Sequence, residues 1–159
     1  MRAGIGFDIH PLVERRRLIL GGVDLKFERG LDGHSDADVL VHAIIDALLG
    51  ASALGDIGKH FPDTDPQYSG ISSMALLERV QTLLNDSGVT IENIDATVIC
   101  EKPRLSAHTD RMRSNIAGAL SIDTSQVSVK ASTTNGLGLI AKGEGIAALA
   151  VALVKKDIA

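Results

Sequence analysis

Between Asp36 and about Leu54, the residues Leu40, Ile44, Ala47, Leu48 and Ala51 recur every three or four positions, the spacing of one face of an α-helix. Ser35 or Asp36 is a fitting N-cap. A helix this apolar must lie against a second apolar layer, which restricts the chain to folds that provide one. Asp38, His42 and Asp46, each four residues from the next, form a polar stripe along it. Acids and an imidazole on one stripe of an apolar helix sit badly with core packing. An exposed face whose acids favour the helix N-terminus is the plain alternative.

The opening segment supplies a partner for that stripe. Arg2 to His10 reads as a strand, ended by Pro11. Positions i and i+2 of a strand share a face, so Asp8 and His10 project side by side. His42, from a helix packed on that strand, would complete an Asp/His/His set. Such a set suits a borderline cation such as Zn2+ and leaves a fourth position open to a substrate oxygen.

The remaining segments read as alternating strands and helices. Arg17 to Gly22 and Val23 to Glu28 form a hairpin around Gly21-Gly22, and the triplet Arg15-Arg16-Arg17 reads as a solvated turn. Gly55 to Pro66 is a Gly/Pro/Asp loop. Ser72 to Asp86 is a helix stopped by Gly88, Ile94 to Cys100 a strand, Ser106 to Leu120 a third helix and Val127 to Ala131 a strand. Ile146 to Val154 is rich in Ala, which suits helix, but its unbroken apolar run favours a strand buried on both faces. The expected class is α/β, an α+β sandwich with a mixed sheet and helices on one face, in a single domain spanning 1–159. A strand apolar on both faces needs cover beyond its own helices, which points to oligomerisation.

Composition narrows the partners. Net charge is −4 with no basic face, so nucleic acid is not expected. The single Cys100 excludes an intrachain disulfide and fits a reducing compartment. Met1 leads straight into strand-like sequence, and no apolar run is long enough for a bilayer. The expectation is a cytoplasmic protein without membrane association.

Three segments suit phosphate or sugar. His34-Ser35 precedes a helix N-terminus, where free N–H groups favour an anion. Asp56-Ile57-Gly58 and Asp63-Thr64-Asp65 place acids on a bent loop, to accept from hydroxyls or to make Asx-turns. Ser132-Thr133-Thr134 follows a strand, where ligands of α/β sheets tend to sit. Lys142-Gly143-Glu144-Gly145 lacks the spacing of a P-loop. His60 and His108 read as surface residues.

Gly6-Phe7-Asp8-Ile9-His10, His34-Ser35-Asp36-Ala37-Asp38 through His42, Ala53 to Lys59 with Phe61 to Pro66, and Val129 to Thr134 with Gly143 to Ala147 occur in one order and spacing. Together they resemble the 2-C-methyl-D-erythritol 2,4-cyclodiphosphate synthases, nearly end to end. The resemblance implies a homotrimer with active sites between subunits. It implies conversion of 4-diphosphocytidyl-2-C-methyl-D-erythritol 2-phosphate to the 2,4-cyclodiphosphate and CMP, a step of non-mevalonate isoprenoid biosynthesis. Asp8, His10 and His42 match that family's Zn2+ ligands, and His34 and Thr133 its transition-state stabilisers. Substrate contacts are implied for Asp8, Ile9, His10, His34 and Ser35. Asp56, Ile57, Gly58, Phe61, Pro62, Asp63, Thr64 and Asp65 fall where the methylerythritol is held. Cys100, Glu101, Lys102, Pro103, Arg104, Leu105 and Ser106, with Ser132, Thr133 and Thr134, fall where the cytidine pocket is built. Mg2+ or Mn2+ would bridge the diphosphate, taking mostly phosphate and water ligands. Asp38 and Asp46 are expected to orient His42 behind the metal.

Three positions depart from that family's common pattern. Asn135 stands where Glu is frequent, offering the second metal an oxygen without charge. Lys142 replaces Arg and Leu139 replaces Phe beside the central cavity reported to hold an isoprenoid diphosphate. Lys lacks the bidentate fork of Arg. Two other functions suit the same residues: a Zn2+-dependent phosphohydrolase, predicting inorganic phosphate or a linear diester, and a trimeric metal-stabilised isoprenoid diphosphate binder, predicting that metal removal melts the protein.

Overall fold

A computed structural model describes residues 1–156. The last three positions of the expected domain lie outside the described residues. In chain order the elements are β1 (Arg2–Glu14), β2 (Ile19–Leu20), β3 (Val23–Asp24), β4 (Arg29–Leu31), α1 (Val39–Ala51), α2 (Ile57–His60), α3 (Ser73–Asp86), β5 (Val89–Ile99), α4 (Thr109–Leu120), β6 (Val127–Ser132), α5 (Gly138–Ala141) and β7 (Gly145–Lys156). Five strands form one mixed sheet in the order β4-β1-β7-β5-β6, with only β5 and β6 parallel. Helices α1, α3 and α4 cover one face, giving the expected α/β sandwich.

The fold turns on how closely α1 approaches β1. An added Cβ at Gly4 would stand 2.0 Å from the Ala47 carbonyl oxygen, and one at Gly6 1.9 Å from that of Ala43. Only glycine lets the helix backbone rest on the strand here, and this brings His42 down to the level of Asp8. Helix α1 is buried on nearly every side, its exceptions being His42, Asp46 and Gly50 at i, i+4 and i+8.

Strand β1 runs through Pro11 instead of stopping there. Pro11 is the last residue paired with β7, and from Leu12 onward the strand pairs with β4. A residue without an N–H is tolerated at that change of partner. Strand β7 confirms the strand reading of Ile146–Val154. Ile146, Ala148, Ala150, Ala152 and Val154 are buried, whereas Leu149 and Val151 are exposed. Those two lie opposite Phe7 and Ile5 of β1, which are 55% and 70% exposed, so the helix-free face of the sheet bears an uncovered apolar band.

The Gly21-Gly22 turn of the β2–β3 hairpin has both residues at positive φ, as a two-residue hairpin turn with the native strand twist requires. The N-cap of α1 is Asp38, not Ser35 or Asp36. Its carboxylate accepts from the amides of Val41, Gly21 and Gly22 and so joins hairpin to helix. Among the described residues no helix is long and apolar enough to cross a membrane.

Candidate functional site

Asp8 and His10 point from the same side of β1 toward α1, and His42 meets them one helical turn before Asp46. Asp8 Oδ2 lies 3.0 Å from His10 Nε2 and 3.0 Å from His42 Nδ1. One ligand atom from each of the three lies within 4.8 Å of the others. Two ligands on a tetrahedral Zn2+ stand about 3.3 Å apart at ordinary bond lengths. The set therefore fits such an ion with little adjustment.

Proton placement agrees with that fit. His10 Nδ1 lies 2.6 Å from the carbonyl oxygen of Asp32. A carbonyl can only accept, so Nδ1 donates; Nε2, beside Asp8, is left with its lone pair in the neutral ring and donates to Asp8 in the protonated one. Carboxylate and lone pair converge without repulsion when a cation or a proton stands between them. Burial pushes the Asp8 carboxyl up, but hydrogen bonds and charge from His10 and His42 outweigh it and hold it well below the usual carboxylate range. His10 is raised, chiefly by its hydrogen bond to Asp8, with burial opposing.

The carboxylates expected to orient His42 do other work. Asp38 is fully buried in its cap, where burial pushes it up to about 6 against its backbone donors. Asp46 accepts from the Ile57 amide at 2.8 Å and so anchors α2; burial raises its pKa as well. The His42 ring instead meets two hydroxyls, Ser73 Oγ at 2.9 Å and Ser35 Oγ at 3.1 Å from Nε2. Ser73 is a residue that sequence reasoning missed.

Around the cluster opens a cleft of about 500 Å³ whose walls include His34, Ser35, Ile57, Gly58, Phe61, Pro62 and Asp63. Asp56 and Asp65 serve as the Asx-turn alternative describes: Asp56 caps α2, and Asp65 caps the short turn Pro66–Tyr68. Thr64 is exposed and outside the cleft lining. His34 is exposed in the loop before Asp38, four residues ahead of the cap. That loop is held by Arg16, whose guanidinium donates to Asp32 Oδ1 and to the carbonyls of Gly33 and Ser35. Arg16 is thus a strut and not the solvated turn residue expected. His60, expected at the surface, is half-buried with Nε2 on the Leu54 carbonyl.

Thr133 belongs to a second cleft of about 240 Å³, lined by Cys100, Glu101, Pro103, Arg104, Leu105, Ser106, Ala131 and Ser132 as well. Lys102 is exposed beside it. The register runs Asp8, Ala148, Val98, Ala131 across the sheet, so both clefts open at one level. They are three strand spacings apart, about 14 Å. Thr134 is half-buried, Asn135 is exposed with a φ of 53°, and Thr133 Oγ1 accepts from the Asn135 amide. Leu139 joins Ile9 and His10 in a third cleft, and Lys142 is exposed at the end of α5.

A sequence profile of the YgbB family matches residues 1–155. The chain belongs to the YgbB family. Its YgbB relatives include the 2-C-methyl-D-erythritol 2,4-cyclodiphosphate synthase of Alkaliphilus oremlandii, 57% identical over 98% of this chain and 99% of the relative. That of Pelotomaculum thermopropionicum is 60% identical over 98% and 96%. Among solved structures, the IspF of Plasmodium falciparum in complex with CDP superposes with a TM-score of 0.85 at 34% identity, over 98% of this chain and 97% of that one. The bifunctional IspDF of Campylobacter jejuni gives 0.94 at 42% identity; this chain covers 42% of that longer one and is itself 98% covered. The YgbB match thus takes in both β1, which bears Asp8 and His10, and the loop after β6, which bears Thr133.

Proposed function

We infer that this protein converts 4-diphosphocytidyl-2-C-methyl-D-erythritol 2-phosphate to 2-C-methyl-D-erythritol 2,4-cyclodiphosphate and CMP, as one cyclodiphosphate synthase domain spanning 1–159. The observation that carries the reading is the Asp8/His10/His42 cluster at the floor of a cleft, in a chain 57% identical to a synthase so named. An oxygen of the 2-phosphate forms a bond to the β-phosphorus, the bond from that phosphorus to CMP breaks, and CMP leaves with the electron pair. The nucleophile belongs to the substrate, so no side chain needs to attack.

Asp8, His10 and His42 would hold Zn2+. Bound there, it supplies a Lewis acid for a phosphate oxygen, while Mg2+ or Mn2+ on the diphosphate offsets the repulsion among phosphates. His34 and Thr133 donate hydrogen bonds that strengthen as charge shifts onto the reacting oxygens. Ser35, Ile57, Gly58, Phe61, Pro62 and Asp63 bind the methylerythritol, and Cys100–Ser106 with Ser132–Thr134 bind the cytidine. Asn135 contributes an uncharged oxygen, so the second metal depends mainly on phosphate ligands.

The assembly we propose is a homotrimer with its active sites between subunits. Two features support it: the uncovered band of Ile5, Phe7, Leu149 and Val151, and the strand-order separation of the clefts within one chain. Lys142 and Leu139 would then face the central cavity, where Lys142 offers an isoprenoid diphosphate a single point charge. The enzyme is read as a cytoplasmic lyase. The test is CMP release from the 2-phosphorylated substrate, abolished by EDTA and restored by Zn2+ together with Mg2+. Release of inorganic phosphate, or equal turnover of generic phosphoesters, would refute the cyclase reading in favour of a phosphohydrolase.

A further inference from the structure

We propose that Ser73 and Asp36 are positioning residues for His42, fixing which of its ring nitrogens bears the proton and which faces the metal. The proposal rests on the reading of Asp8, His10 and His42 as metal ligands.

The assignment follows from donors that cannot reverse. The amide of Ser73 donates to Asp36 Oδ2 at 3.1 Å, and the amide of Asp38 donates to Asp36 Oδ1 at 3.2 Å. Both oxygens of Asp36 therefore act as acceptors, and the Ser73 hydroxyl that also touches Oδ1 must donate to it. A hydroxyl has one proton. Having given it to Asp36, Ser73 Oγ can only accept from His42 Nε2, 2.9 Å away. In its neutral form the His42 ring then carries its proton on Nε2 and presents the Nδ1 lone pair, beside Asp8 Oδ2, to a metal. Ser35 Oγ, at 3.1 Å from the same nitrogen, already accepts from the Ala37 amide and shares the Nε2 proton as a weaker second acceptor.

Burial makes the arrangement hard to replace by solvent, since Ser73 is 0% and Ser35 8% exposed. Helix capping does not account for the Ser73 hydroxyl, because Ser72 caps α3. The resulting chain, carboxylate to hydroxyl to imidazole to metal, keeps the ring oriented and raises its basicity as a ligand.

Ser73→Ala removes the hydroxyl but retains the backbone amide that ties α3 to Asp36, so it isolates the effect on His42. In full-length protein stripped of metal, Zn2+ affinity is measured by competition with a chromophoric chelator. The visible spectrum of the Co2+-loaded protein and the melting temperature of the metal-free form are recorded alongside. The expected result is Zn2+ binding weaker by about 10–100-fold, with altered Co2+ bands and little change in metal-free melting. Asp36→Asn, which removes the charge and one acceptor, is expected to shift the same two metal readouts in the same direction. Unchanged Zn2+ affinity and an unchanged Co2+ spectrum in Ser73→Ala would overturn the proposal, as would an effect confined to melting. A parent protein that binds no Zn2+ would instead sink the metal reading itself. One that binds Zn2+ but releases no CMP would sink only the assigned reaction.

Discussion

At the Asp8/His10/His42 cluster a single chain supplies nearly everything: three side chains able to hold a metal, the Asp32 carbonyl behind His10, and the Ser73 hydroxyl behind His42. The cleft beside Cys100 is different. Glu101 Oε2 is buried there without a hydrogen-bond partner, while Ser132 and Thr133 are exposed. The first is preorganised by long-range packing, whereas the second is built from a strand end and loops. On the proposed reaction this is the expected division, since charge is rearranged at the first and a nucleoside is only recognised at the second.

Breaking one end should therefore leave the other intact. His42→Ala should abolish stoichiometric Zn2+ binding and lower CMP release by about 10³-fold or more, the equivalent of several kcal/mol of lost charge stabilisation. CMP, which lacks the β-phosphate, should bind with unchanged affinity by calorimetry. If CMP affinity fell in parallel, the two clefts would not be independent. Next in size is Thr133→Ala, expected to cost about 10²-fold in kcat with Zn2+ content unaltered, as for loss of one donor to a developing charge. Gly6→Ala probes the contact that assembles the metal end: its Cβ meets the Ala43 carbonyl at 1.9 Å, so α1 must shift. Overpacking of this kind costs about 1–3 kcal/mol, read as a lower melting temperature accompanied by weaker Zn2+ binding.

The smallest effect sharpens the view of the second cleft. Burial, with the nearby Glu101 charge, pushes the Cys100 thiol up to about 11 from its ordinary value near 9. A raised thiol pKa means less thiolate below it, so at pH 8 the reactive fraction is about a hundredfold smaller than for an unshifted thiol. Alkylation by iodoacetamide should be slow at pH 8 and accelerate as pH rises toward 11. Rapid reaction at pH 8 would show that the cleft is wetter than its packing indicates.

What could be read from the sequence divides along the same line. Asp8, His10 and His42 announced themselves because strand alternation and helical periodicity are local rules. The strand character of Ile146–Val154 was legible too, from an apolar run with no polar face to suit a surface helix. The partners behind the histidines were not. Ser73 reaches His42 across 31 positions, and the acceptor for His10 is a backbone carbonyl, which no residue type advertises. Asp38 and Asp46 share a stripe with His42, yet one caps the helix and the other anchors α2, because nearby unpaired amides claimed their oxygens first. Pro11 misled for a related reason: whether a missing N–H matters depends on which neighbour the strand has at that point.

The alternation of β1 has a further consequence. Asp8 and His10 look toward the helices while Ile5, Phe7 and Ile9 look away from them, and only the parity of the count along one strand separates the two sets. Deleting Phe7 would break that parity: with the first half of the strand in register the imidazole and carboxylate turn outward, and with the second half in register Ile5 is driven into the space that Gly6 keeps clear. Chemistry and outer surface are thereby inherited together, and a change that loses one forfeits the other.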